Sequence, residues 1–319
     1  MSRGHFEKQN TRSWNAFKRA LFDVDRRKRV GDAAEFLSLY RRVCQNLALA
    51  RTRHYGADLE AQLNRLALRG HQHLYARRMG VWSRIVHFVG AGFPQDVRRN
   101  HAYLWASLIL FGLPFVGFIV AIQLQPDLAY SVLPPEALRG MEQMYDPAQA
   151  GKTMGASVDE RAYMFGFYVY NNVSIAFRTF AAGIACGVGS LYFAAYNGVV
   201  LGAVSGHLTQ IGYGETFWPF VIGHGSFELT ALVLATQAGL KIGWSLVAPG
   251  QRTRGRALLE ETKDSMGIVY GFTAFLVIAA FLEAFWSPWP FIPPAVKYAV
   301  GSALWAGVIS YLAFAGRGQ

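Results

Sequence analysis

Two side chains in this chain of 319 residues stand where type and spacing could do chemistry: His224 and Glu228, within WPFVIGHGSFELTALVLATQ. Positions four apart share one face of an α-helix, so the imidazole and the carboxylate point the same way. The run is apolar enough for lipid, and ionisable groups inside a membrane are functional candidates by default. Three readings are open. The pair could ligate a metal, although two ligands are not a full site and the H-E-x-x-H pattern is absent. It could relay a proton or contact a substrate. It could also be a hydrogen-bonded pair that neutralises itself and pins the chain to its neighbours.

Arg178 and Asn197 complete the candidate polar site. Arg178 is expected at the same end of the molecule, paired with Glu228 or Glu215 and with Glu283 as a further partner. The alternative for Arg178 is snorkelling to the interface. Asn171, Asn172 and Asn197 fall at span ends, where amides bond exposed backbone. His207 faces a pore or a partner carbonyl, and Lys241 snorkels near the other end. No catalytic residue, metal or cofactor is expected: there is no Ser/His/Asp constellation, P-loop or dinucleotide fingerprint. G-x-S-x-G fails at HGSFE because no second glycine follows Ser226 at that spacing.

The elements that must position these groups are membrane helices. Hydrophobic residues make up 52% of the chain and charged residues only 16%, where soluble domains carry about 25% charged. Residues 1–100 hold 20 of the 31 Lys+Arg and 8 of the 20 Asp+Glu, and the remainder is near neutral. Runs of the required ~20 apolar residues suggest six spans: 102–124, 175–195, 199–211, 220–247, 266–286 and 295–314. A tight turn at Tyr196-Asn197-Gly198 would separate the second from the third. An outer loop of about residues 125–172 holds three basic against six acidic residues, and the loop 248–265 is basic. The positive-inside bias then sets both termini in the cytoplasm. Gly183, Gly187, Gly198, Gly202, Gly206 and Gly225 are read as helix-packing positions. They serve a homo-oligomer or, as favoured, contacts between spans of one chain.

Residues 1–100 read as a basic cytoplasmic helical bundle with an interfacial helix. Trp14, Phe17, Leu21 and Val24 mark one helix face; Phe36, Tyr40, Val43, Leu47 and Ala50 mark a second. Asp32 and Glu35 form a capping-box pattern. A His54–Ala57 connection leads to Leu59, Leu63, Leu66 and Leu74. Trp82, Ile85, Val86, Phe88 and Val89 suggest a short helix on the bilayer surface, stopped by Pro94. The basic charge is assigned to lipid headgroups and not to nucleic acid, because a span follows at once. No signal peptide is visible. The expected fold class is all-α, a polytopic membrane protein of about six transmembrane helices, with residues 101–319 as the transmembrane domain.

The central stretch resembles the stage II sporulation protein M family. Asn171-Asn172, the Phe177/Phe180 pair, GIACGVGS, Asn197-Gly198 with Gly202, HGSFEL and AGLKIG carry the likeness over about a third of the chain. YRRVCQNLALAR and LNRL…HQHLY resemble the N-terminal extension of members from bacteria that do not sporulate. The family usually has proline directly before His-Gly, and here Gly223 stands there. The resemblance implies a multi-pass protein of the bacterial inner membrane that acts as scaffold or anchor for envelope partners, with membrane lipids around it. A transporter or lipid-handling protein using Arg178, His224 and Glu228 is the alternative.

Overall fold

The computed structural model describes residues 2–25, 33–75, 81–148 and 157–318. Two compact units divide the chain, residues 1–84 and residues 85–319. Among the described residues every regular element is helical. This is an all-α polytopic membrane protein.

The first unit is built from α1 (Arg3–Asp25), α2 (Ala33–Thr52) and α3 (Ala57–Tyr75). Its core is the set the helical period predicts, with Trp14, Phe17, Leu21, Phe36, Val43, Leu47, Leu59, Leu63 and Leu66 all buried, joined by Phe6. Gly70 is needed for this closeness: a Cβ there would sit 2.6 Å from the Phe17 ring. His54, with φ of 51°, turns α2 into the connection to α3. Glu35 opens α2 as expected of a capping box, but its partner Asp32 lies outside the described residues.

The expected surface helix does not stop at Pro94. Helix α4 (Val81–His87) runs through a π-helical turn at Phe88–Gly92 into α5 (Phe93–Arg99). Pro94 occupies the first turn of α5, where its missing N–H costs nothing. Trp82 and Val86 on α4 are exposed, whereas Phe93 and Val97 are buried against the second unit's core with Phe275 and Tyr311. So the exposed apolar face covers α4 and Val89 of the π-turn, and ends before Phe93.

Five helical stretches of the second unit are long and apolar enough to cross a membrane: His101–Leu124, Val188–Gln210, Gly214–Val247, Arg254–Trp286 and Pro294–Phe314. They are α6, α10, α11, α12 (Arg254–Phe281, with its π-helical continuation) and α13. A sixth long helix, α9 (Val158–Ala181), packs in the same body but carries Asp159, Glu160, Arg161 and Arg178. Between α6 and α9 lie two short helices, α7 (Leu128–Val132) and α8 (Pro135–Tyr145), which we term the cap.

The division of the middle of the chain differs from expectation. Helix α10 runs unbroken through Tyr196-Asn197-Gly198, and the turn falls instead at Cys186 and Gly187, with φ of 52° and 85°. Asn197 donates to Phe193 O within its own helix at 2.7 Å, so it does not end a span. Gly198, Gly202 and Gly206 face α6, where a Cβ would stand 2.5 Å from Phe111 O, 2.5 Å from Phe115 O and 3.1 Å from Ile119 Cα. Only hydrogen fits there, and backbones meet as van der Waals packing in lipid requires. Gly183 meets Gly239, and Gly187 lies beside Leu240 and Gly243 of α11, so these glycines too pack within one chain. Gly225 is the exception: a Cβ there would meet nothing within 4 Å, so it is not a packing glycine.

Helices α11 and α12 run antiparallel, Lys241 meeting Asp264 at one end and His224 meeting Ser287 at the other. With 34 and 28 residues, each exceeds the ~30 Å hydrocarbon thickness at 1.5 Å per residue. Their ends therefore reach polar surroundings, and both ends carry charge. The end near residues 248–253 is a closed ionic network. Arg99 binds Asp264 at 2.8 Å and Asp96 at 3.2 Å. Lys241 binds Asp264 and reaches Glu261 at 3.5 Å. Arg252 binds Glu260 at 3.1 Å and Glu261 at 3.2 Å, and Arg256 binds Glu260 at 2.8 Å. Lys241, 5% exposed, is thus a paired structural cation and does not snorkel.

Candidate functional site

The opposite end of the α11/α12 pair, beneath the cap, holds the candidate site. His224 and Glu228 lie on one face of α11, as their spacing requires. Glu283 comes to them from the π-helical turn Leu282–Trp286, where Ser287 N donates to Leu282 O at 2.7 Å. A π-turn inserts an extra residue into the helical register and swings the side chains that follow, and such turns recur at functional sites. One ligand-capable atom from each of His224, Glu228 and Glu283 lies within 4.8 Å of the other two.

The supports of this trio are polar and buried. His224 is 5% exposed, and its Nδ1 is 3.1 Å from Ser287 Oγ. Ser287 is fully buried, and its carbonyl accepts from Lys297 Nζ on α13 at 2.7 Å. Gly223 makes room for the Trp286 ring, which a Cβ would approach to 2.7 Å. The absent proline before His-Gly therefore has a local reason, since the indole occupies that space. Phe220, one turn before His224, meets the imidazole edge-on at 5.5 Å between ring centres.

The carboxyl groups of the trio have no cationic partner side chain. Among the described residues no ion pair joins Glu228 or Glu283 to any Lys, Arg or His. The self-neutralising His224/Glu228 hydrogen bond is therefore not formed. Glu283 Oε2 is buried without a hydrogen-bond partner, and so is Asn172 Nδ2 on α9. Ala176 of α9 and Ala231 of α11 belong to one buried cluster.

A cavity of roughly 420 Å³ reaches the trio at Glu283, with Ser287 and Lys297 also in its wall beside Tyr145, Tyr168 and Arg161. Tyr145 belongs to the cap, and burial, with the Glu283 charge adding to it, holds its hydroxyl pKa far above the ordinary range. It is a donor at any working pH. The cap is latched over this end by His207 Nε2 and Glu142 Oε1 at 2.7 Å, and by Thr216 Oγ1 donating to Tyr145 O at 2.5 Å. His207 thus meets a carboxylate and not the expected carbonyl or pore.

Arg178 is not part of the site. It sits in the last turn of α9 and is exposed, beside Phe177, which packs on Phe272. Phe272 precedes Glu283 by 11 positions, about 16 Å along α12. Arg178 makes no ion pair with Glu228, Glu215 or Glu283 among the described residues. Asn197 is likewise elsewhere, midway along α10. Sequence reasoning named Glu283 only as a partner for Arg178 and missed Ser287 and Lys297. The π-turn that assembles them has no periodic signature.

With the fold and this geometry in place, the comparisons are decisive at one level. Stage II sporulation protein M matches residues 102–288, more than half of the chain, from α6 to Ser287. The chain belongs to this family. The trio and Ser287 all lie inside the stage II sporulation protein M region, whereas Lys297 lies beyond it. A domain of unknown function matches residues 4–76, the span of α1 to α3. An uncharacterized protein of Methanocaldococcus jannaschii is 25% identical over 128 residues, covering 40% of this chain and 72% of that protein. No solved structure matches.

Proposed function

We propose that this member of the stage II sporulation protein M family is a multi-pass inner-membrane scaffold of a bacterial cell, with both termini cytoplasmic, that holds envelope partners at its non-cytoplasmic end. The cap carries this reading. Residues 125–148 are not a slack tether: Leu138 and Ala129 are buried with Ile122 and Ala203, Tyr130 of α7 meets His207 edge-on, and the His207–Glu142 and Thr216–Tyr145 contacts fasten α8. An ordered surface of this kind costs no ordering entropy when a partner docks. The separately cored α1–α3 unit offers a second docking body, and its basic charge suits anionic lipid heads.

The test is photo-crosslinking in native membranes from exposed cap positions Glu136 and Gln143, with Leu259 at the opposite end as control. Discrete protein adducts from the cap positions alone are expected. Absence of any cap adduct, or an identical ladder from all three positions, sinks the scaffold reading.

A second reading, transport or handling of a small polar ligand or lipid headgroup, is favoured by one observation. The cavity beneath the cap leads to Glu283, whose Oε2 is buried without a partner. It expects Glu228→Gln to abolish activity while protein abundance stays unchanged.

A further inference from the structure

We propose that His224, Glu228 and Glu283 form a binding site for one divalent transition-metal ion of the zinc class, with an open coordination position, Glu283 being the ligand that also lines the cavity. It goes beyond the scaffold reading and stands or falls separately from it.

Three observations carry it. The first is spacing. The three ligand atoms lie within 4.8 Å of one another, yet no hydrogen bond or ion pair joins the imidazole to either carboxylate. Groups too far apart to bond directly, but gathered around one point, are disposed as ligands are around an ion. Ligand atoms on a tetrahedral zinc stand about 3.3–3.5 Å apart, so side-chain rotations of modest size close the shell.

The second is unbalanced charge. Two carboxylates share a buried pocket with no cation bonded to either, and Glu283 Oε2 has no donor at all. A carboxylate buried without a counter-charge is costly and is otherwise avoided by taking up a proton; a divalent ion supplies the missing charge to the ionised pair. Lys297 and Arg161 line the same cavity as Glu283, but neither forms an ion pair with it; the one hydrogen bond of Lys297 Nζ goes to the Ser287 carbonyl.

The third is the supporting shell. Metal-bound histidines almost always have their other ring nitrogen held by a hydrogen bond, which fixes ring orientation. Here the imidazole is oriented by Ser287 Oγ, 3.1 Å from Nδ1, and by a hydrogen bond to the Phe220 carbonyl one turn back. Ser287 is itself fixed by Lys297 through its carbonyl. Three protein ligands from one imidazole and two carboxylates leave a position free, as sites that act on a ligand do and closed structural sites do not. The mixed nitrogen and oxygen set suits zinc, iron(II) or manganese(II) over calcium or a soft-metal ion.

The experiment uses the full chain purified in detergent, stripped with a chelator and titrated with zinc, with cobalt(II) as the spectroscopic probe. One saturable equivalent per chain is expected, with a visible cobalt(II) band that zinc displaces. Glu283→Gln is nearly isosteric and removes one of two repelling charges, so it is expected to fold; its zinc affinity falls by roughly 100-fold or more. Ser287→Ala costs about 10-fold by loosening the imidazole. Glu142→Gln, at the cap latch, binds zinc as the parent does. The proposal is overturned if the stripped parent shows no saturable zinc or cobalt(II) binding, or if Glu283→Gln binds as tightly as the parent. Should a variant fail to fold, the parent's own stoichiometry and cobalt(II) band decide the matter.

Discussion

The two ends of the α11/α12 pair bury charge in opposite ways. At the end near residues 248–253, four cations (Arg99, Lys241, Arg252, Arg256) meet four anions (Asp96, Glu260, Glu261, Asp264). Beneath the cap, Glu228 and Glu283 meet no cation side chain among the described residues. Both arrangements involve the same two helices and both hold a buried ionisable group, Lys241 at one end and His224 at the other, so burial alone does not separate them. What separates them is closure. A closed ionic network has nothing left to bind and reads as structure. A set of anions left open beside a cavity reads as a place kept for something else.

The largest effect tests the closed end. Asp264→Ala strands Lys241, which is 5% exposed, with only Glu261 at 3.5 Å, and it leaves Arg99 with Asp96 alone. Orphaning a buried charge costs about 3–5 kcal/mol; because Asp264 is nearly half exposed, about 2–3 kcal/mol is expected after screening. Lys241→Met removes the buried cation itself and is expected to cost about 1 kcal/mol or less. Thermal unfolding in detergent ranks the two. If Lys241→Met proves the more harmful, the network does not balance charge in the way described.

The next effect tests the seam that positions both ends. Gly202→Ala drives a Cβ to 2.5 Å from Phe115 O, a backbone atom that cannot step aside. Overpacking of this kind costs about 1–3 kcal/mol. Gly225→Ala, in open space on a helix, is expected to be neutral or to gain up to about 1 kcal/mol from helix propensity. The same unfolding measurement applies. Equal losses at both positions would mean that Gly225 approaches a neighbour after all.

These glycines also show what was legible in the sequence. The α1–α3 core and the α6 and α13 spans follow from apolar periodicity and length, and the structure places them where that reading does. His224 and Glu228 were legible because four-residue spacing in one helix needs no tertiary knowledge. The span 175–195 was not: Tyr-Asn-Gly at 196–198 has the composition of a turn, but Gly198 is there to meet Phe111, and the real turn uses the left-handed Cys186 and Gly187. Moving the turn by half a span exchanges the two ends, and that is why Arg178 was expected beside Glu228. Glu283 was seen but given the wrong partner, because the π-turn that aims it leaves no trace in residue spacing. Lys241 was expected to snorkel because its partners on α12 come from a different part of the chain.

The smallest effect is the sharpest, because it predicts a sign. In metal-free protein, Glu283→Gln removes one of two neighbouring carboxylates that no cation compensates, so stability is expected to stay level or rise by up to about 1 kcal/mol, the scale of a relieved unfavourable polar contact. Asp264→Asn makes the same change of carboxylate to amide on the same helix but breaks pairs with Lys241 and Arg99, so stability is expected to fall. Adding zinc should then stabilise the parent and Asp264→Asn alike, and leave Glu283→Gln unmoved. A loss of stability in metal-free Glu283→Gln would mean that the Glu283 carboxylate has a bonding partner in the folded protein, and the two ends would no longer differ in kind.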